Sequence, residues 1–201
     1  MIADMIMSLN NFDICGFIDD DANKKDTVFF NHAKVYSPDE FVEANKKLNI
    51  KYIIFAIGSN EIREKLAQQF TEMTFPTIIH PTALISKFVE IGCGTVVMPY
   101  TIIEPEAIVG KHCIINNNAI IGHNSIVSDY CHIGGRAVLS GGTKIGQCCL
   151  LGVGATVTPT ITIGNHCLIG AGSVIAKDVP DNSFMFGNPG RKVNNYIPKC
   201  K

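Results

Sequence analysis

The chain has 201 residues, 46% of them hydrophobic and 17% charged, with a formal net charge of −1. That length suits one large domain or two small ones, and the charge balance gives no general attraction to nucleic acid or to an anionic membrane. No apolar run approaches the ~18 residues of a membrane span, and the opening "MIADMIMSLNNFDICG" has no basic stretch ahead of its apolar residues, so it does not read as a signal peptide. Eight cysteines would suggest disulfides in a short secreted chain, but here their spacing points to another role, and a reducing compartment, the cytoplasm, is expected.

In chain order, "FDICGFIDDD" (12–21) reads as a short apolar strand ending in three acids. "SPDEFVEANKKL" (37–48) reads as a helix with Ser37 as N-cap, Pro38 in its first position and Glu40 closing a capping box. "KYIIFAIG" (51–58) is expected as a buried strand, and "SNEIREKLAQQF" (59–70) as a helix whose apolar face carries Ile62, Leu66 and Phe70. Strand, helix, strand, helix implies a small parallel α/β domain over residues 1–75.

In such open sheets ligands bind beyond the carboxyl ends of the strands. Asp19, Asp20 and Asp21 follow one strand; Gly58, Ser59 and Asn60 follow another, so both groups are expected at one sheet edge. The carboxylates can accept from ribose or uracil groups, and the amides of 58–60, at a helix N-terminus, suit phosphate. The plainer alternative is a solvated acidic turn and an ordinary helix cap.

A repeat governs the middle of the chain, residues 76–180. From Ile79 to Ile175 every sixth residue is aliphatic, without a gap. A period of six fits short strands joined by tight corners, three strands to a coil of 18 residues, stacked ~4.8 Å apart. Cys113, Cys131, Cys149 and Cys167 lie 18 apart and are expected as one interior column, acting as small buried hydrophobes. His112 and His166 share a corner position three coils apart and are expected in solvent. After Ile175, "KDVPDNSFMFGNPGRKV" breaks the register with Pro and Gly, and residues 181–201 are expected to leave the prism as an extended tail.

"FIDDD", "AIGSNEIREKL", "IIHPTALIS", "NNNAIIGHNSIVSDYCHIGG" and "FGNPGRKV" come in this order. Together they resemble bacterial sugar acetyltransferases of the sialic-acid O-acetyltransferase type. That group includes the N-acetyltransferases of UDP-4-amino-4,6-dideoxy sugars in glycan biosynthesis. The resemblance implies a mainly β protein: a left-handed parallel β-helix behind a small Rossmann-like α/β domain, assembled as a homotrimer. It implies acetyl transfer from acetyl-CoA to an amino or hydroxyl group of a sugar or UDP-sugar, without a metal. His123 then matches the general base, and an imidazole of ordinary pKa near ~6.5 is largely neutral in the cytosol and able to take a proton from the attacking group. His132 matches a histidine lining the acetyl-CoA end of the cleft. Asn116 matches a substrate contact on the neighbouring corner. Gly141, Gly142 and Gly152 would let backbone approach the thioester and pantetheine, with an amide stabilising the oxyanion.

Two departures from the family carry expectations. Many relatives carry Asp or Glu right after the catalytic histidine, where this chain has Asn124; an amide orients the ring without adding charge, so a weaker base is expected. "MIADMIMSL" reads as the first helix, so the first strand and Gly-rich loop are expected to be missing, with normal acetyl-CoA binding but weak UDP-sugar binding. Among rivals, a γ-type carbonic anhydrase needs three convergent histidines, and serine or maltose acetyltransferases have other lead-ins. A non-enzymatic trimeric scaffold, or an acetyltransferase for a different small acceptor, is the remaining alternative.

Overall fold

The computed structural model describes residues 1–9, 11–21, 23–24, 28–29 and 33–193. The last part of the expected tail, 194–201, lies outside the described residues. The described chain forms two compact units, Met1–Ile53 and Ile54–Lys201.

In the first unit, helix α1 spans Ile2–Leu9 and buries Ile2, Met5 and Ile6, three positions that share one helical face. Strands β1 (Gly16–Ile18), β2 (Val28–Phe29) and β3 (Ala33–Tyr36) form a sheet in the order β1-β3-β2. β1 pairs with β3 in parallel, but β2 pairs with it antiparallel, so the sheet is mixed where a wholly parallel one was expected. Helix α2, Pro38–Leu48, starts as its residues dictate. Ser37 Oγ accepts from Glu40 N at 3.4 Å, and Glu40 Oε2 accepts from Ser37 N at 3.2 Å.

The second unit is a parallel β-helix. Two-residue strands recur every six residues and each pairs in parallel with the strand one coil away, as in Ile78↔Val96↔Ile114↔His132↔Leu150↔Leu168. Three sheets result, here called the first, second and third faces, beginning at Ile78–Ile79, Leu84–Ile85 and Glu90–Ile91. The second residue of each strand points inward. From Val97 to Ile175 every one of these aliphatics is buried in a single core cluster, and that common burial sets the period.

Every sixth residue from Gly94 to Gly172 has a positive φ, among them Tyr100 (59°), Glu106 (63°), His112 (52°), Asn124 (56°) and Thr160 (64°). These corners turn through the left-handed region, which few non-glycine residues adopt. No residue type marks this position, so it is not visible as a motif in the sequence.

The cysteine column is as expected. Cys113, Cys131, Cys149 and Cys167 are buried, and their thiols donate to the carbonyls of Ser128, Gly146, Gly164 and Pro180 at 2.9–3.2 Å. Thr77 and Thr95 continue the same ladder onto Gly92 and Gly110. Hydrogen bonding with Cys113 and Cys149, together with burial, holds the Cys131 thiol well above its ordinary value, so it stays protonated. Cys131→Ala is expected to cost about 1 kcal/mol through lost packing, read by calorimetric melting. An unchanged melting curve, or loss of a stoichiometric zinc ion, would contradict a packing role.

The structure corrects three expectations about the ends of the prism. Residues 51–58 form no strand; the carbonyls of Ile57 and Gly58 accept from Arg63 Nη1 instead of joining a ladder. Helix α3, Asn60–Gln69, buries Asn60, Arg63 and Ala67, whereas Ile62 is 45% exposed. Its contacts with the prism place residues 54–75 in the second compact unit, which begins at Ile54. After Ile175 the chain does not leave the prism. Phe184–Phe186 pairs in parallel with Leu168–Ile169, and Arg191–Lys192 adds an antiparallel strand, so the first face is extended to residue 192.

Candidate active site

His123 stands, exposed, on the corner that joins the second face to the third, between strands Ile120–Ile121 and Ile126–Val127. Its backbone N–H donates to Glu104 Oε2 at 2.9 Å, and its ring Nδ1 lies 2.9 Å from Asn124 Oδ1. The Asn124 amide Nδ2 in turn donates to Glu106 Oε2. Glu106 occupies the same corner position as Asn124 one coil earlier, so a carboxylate reaches the ring at one remove although none follows the histidine in sequence.

Gly141 and Gly142 lie on this same corner one coil later. A Cβ added at Gly141 would overlap His123 Nε2 and Cε1, so the bare glycine is what lets the Nε2 end of the imidazole come this close to the corner backbone. The Gly142 N–H is already used, donating to His123 O at 2.8 Å, and is not available to an oxyanion. Among the described residues the Gly141 N–H has no such bond.

Gly152 sits elsewhere, on the corner between the first and second faces, and its N–H donates to Ile169 O at 2.7 Å. With Leu150, Leu168, Gly170, Phe184 and Phe186 it lines an open apolar groove of about 510 Å³. His132 belongs to the first face, where its Nε2 lies 3.4 Å from Asn116 Nδ2. Asn116 and His132 are therefore one pair. The His123 corner is the vertex opposite that face, so one chain does not bring the two histidines together.

The expected sugar-binding groups fall in different units. In the first, Asp19 Oδ2 pairs with Lys24 Nζ at 2.8 Å and Oδ1 accepts from Asp21 N, and Lys24 holds its carboxyl below the usual range. Asp20 is exposed. In the second, Ser59 Oγ caps α3 by accepting from Ile62 N at 3.4 Å and donates to Glu61. Asn60 is corrected from substrate contact to structural residue. It is 5% exposed, its Nδ2 donates to Cys148 O and its Oδ1 accepts from Arg63 Nη2, so neither end is available to a sugar.

Arg63 and His112 are the residues that sequence reading missed. The buried guanidinium of Arg63 donates to the carbonyls of Ile57, Gly58, His112, Tyr130 and Cys131 and to Asn60 Oδ1, all at 2.9–3.2 Å. None of these partners is a carboxylate. His112 is not in solvent. It is buried, stacked on Tyr130 with centroids 5.3 Å apart and edge-on to Phe75 at 4.7 Å. His166, three coils on, is exposed as expected.

Burial lowers the pKa of both His112 and His132. Arg63 acts in the same direction on each; Asp129 opposes it at His112 and the Gly58 backbone opposes it at His132. The unfolded chain takes up these protons first, near pH ~6.5. Stability present in full above that pH is therefore lost as the pH falls from it through the lower folded values. The melting temperature should drop between pH 7.5 and 5.5, and His112→Phe should flatten the drop. An equal drop in the variant would remove His112 from the cause.

Similarity to known proteins extends across both units. Residues 1–70 match the PglD N-terminal domain, and residues 88–123 and 142–177 match the bacterial transferase hexapeptide (six repeats). A histidine variant of perosamine N-acetyltransferase from Caulobacter crescentus, solved in complex with CoA and GDP-perosamine, is 30% identical with a TM-score of 0.81. The match covers 87% of this chain and 83% of that one. The acetyltransferase domain of PglB from Neisseria gonorrhoeae FA1090 is 28% identical with a TM-score of 0.87, covering 96% and 93%; it has also been solved in complex with acetyl coenzyme A. WeeI from Acinetobacter baumannii AYE, 23% identical with a TM-score of 0.85, covers 96% and 93% and shares the fold. No curated protein matches. The chain belongs to the hexapeptide-repeat sugar acetyltransferases, and it is an acyltransferase.

Proposed function

We propose that this protein transfers the acetyl group of acetyl-CoA to an amino group of a nucleotide-linked sugar in bacterial surface-glycan synthesis, with His123 as general base. The observation that carries this is the exposed His123 ring, held through Nδ1 over a bare glycine, in a family member 30% identical to a perosamine N-acetyltransferase. The acceptor nitrogen attacks the thioester carbon as His123 Nε2 takes its proton. The Gly141 N–H donates to the developing oxyanion. The C–S bond then breaks, and the imidazolium returns the proton to the leaving CoA sulfur. No Ser or Cys nucleophile takes part.

The apolar groove beside Gly152 suits the pantetheine arm. His132 and Asn116 on the first face and His123 on the opposite corner would meet only if two copies pack side by side, which favours a homotrimer with its sites between chains. Asp20, exposed just beyond the end of β1, is the carboxylate in the first unit that we assign to the nucleotide. No helix among the described residues is long and apolar enough to cross a membrane, and a cytoplasmic enzyme has direct access to acetyl-CoA.

An acceptor screen with acetyl-CoA, reading free CoA thiol, tests the reading. GDP- and UDP-linked 4-amino sugars are expected to turn over, and free sialic acids are not. Turnover of the hydroxyl acceptors alone would replace N- by O-acetylation, and no turnover of any would favour a scaffold. Light scattering should give a trimer; a stable, active monomer at micromolar concentration would refute the shared site.

A further inference from the structure

We propose that Glu106, acting through Asn124, fixes the tautomer of His123 and thereby leaves Nε2 as the proton acceptor. This rests on the reading of His123 as the base. The argument begins with donors and acceptors. A carboxylate at neutral pH only accepts, so the end of the Asn124 amide that faces Glu106 Oε2 must be its NH2. The amide is planar, so its oxygen points the other way, and Oδ1 lies 2.9 Å from His123 Nδ1. An oxygen in that place requires the proton on Nδ1, and a neutral ring protonated there carries its lone pair on Nε2.

Without Glu106 the amide could turn over and present NH2 to the ring. That would favour the opposite tautomer, whose Nε2 bears a hydrogen and cannot act as a base. The carboxylate therefore selects one of two otherwise similar amide orientations. The corner geometry makes the selection possible. Glu106 and Asn124 are 18 residues apart and share the left-handed corner conformation, with φ of 63° and 56°, so equivalent positions of successive coils stack. Glu104, two residues earlier, holds the His123 backbone N–H at 2.9 Å and fixes the main chain from which the ring hangs. Glu106 is thus a positioning residue. It supplies from the previous coil the control that an acid after the histidine would supply directly.

The test uses the full chain with 15N-labelled histidine, where two-bond 15N–1H spectra report which ring nitrogen carries the proton. His123→Asn identifies the His123 signals. The wild type is expected to show the Nδ1–H form. Glu106→Ala should give a mixture of tautomers, lower kcat by about tenfold and leave both KM values unchanged. Glu106→Gln, close in shape, should do the same to a smaller degree, because its amide donates as well as accepts.

The double variant Asn124→Asp/Glu106→Gln reverses the chain of donors: Asp accepts from Nδ1–H, and Gln donates to Asp. It should restore the Nδ1–H form and bring kcat back to within about threefold of wild type. An Nε2–H form in the wild type, or variants that leave the tautomer unchanged, would overturn the proposal. The spectra need no turnover, so tautomer control can be established even if His123→Ala proves active and the base reading fails.

Discussion

His123→Ala is expected to lower kcat by about 100-fold or more while leaving the KM for acetyl-CoA nearly unchanged. The reasoning starts from what the ring contacts. Its Nδ1 is engaged with Asn124 and its backbone with Glu104, and its Nε2 end lies close against the bare Gly141. Removing the ring therefore takes away a proton acceptor without dismantling a pocket, so the loss should fall on the chemical step and not on binding. Steady-state kinetics with the best acceptor decide it. Near-native turnover would show that another group takes the proton, whereas a large rise in KM with unchanged kcat would make His123 a binding residue. An unchanged melting temperature is part of the expectation, because the corner is held by backbone bonds such as Gly142 N to His123 O.

Arg63→Ala should be the most damaging single change to stability, costing at least about 3 kcal/mol. The side chain is 1% exposed and satisfies six acceptors drawn from three stretches of chain: the 57–60 turn, His112, and Tyr130–Cys131. Burial lowers its pKa, which means that holding the charge there already has a cost, offset by the geometry of five N–H donors in a rigid fork. Alanine leaves carbonyls facing a void. Lysine should not rescue it, since three donors on a flexible stem cannot meet six acceptors on two sides. Denaturant titration of Arg63→Ala and Arg63→Lys measures the loss, and limited proteolysis should show early cleavage within α3. A loss below about 1 kcal/mol in both would mean that water replaces the guanidinium at no cost.

The period of six was legible because each coil has one interior and the interior accepts only aliphatic side chains at fixed intervals. Val97 through Ile175 could therefore be assigned to the core from their spacing alone. The capping box at Ser37 and Glu40 was legible for a similar reason, since all its partners lie within four residues. The cysteine column belongs with these: its spacing equals one coil.

What the sequence could not reveal was whatever depends on the surface that a coil presents to its neighbours. The face of α3 is the clearest case. Its apolar spacing pointed to Ile62, Leu66 and Phe70, but the prism corner offers a row of carbonyls, and a surface of acceptors is matched by donors, so Arg63 and Asn60 turn inward. His112 became an aromatic core residue because Phe55, Phe75 and Tyr130 close around it. The separation of His123 from His132, nine residues apart in the chain, follows from a corner and a face lying on opposite sides of one coil. Asn124 lacked a carboxylate in sequence and gained one from Glu106 in space. By itself the sequence determined the repeat, its core and the family to which the chain belongs, because those depend on local spacing. The tertiary structure decided the wiring of the site, because the stacking of coils makes neighbours of residues 18 apart.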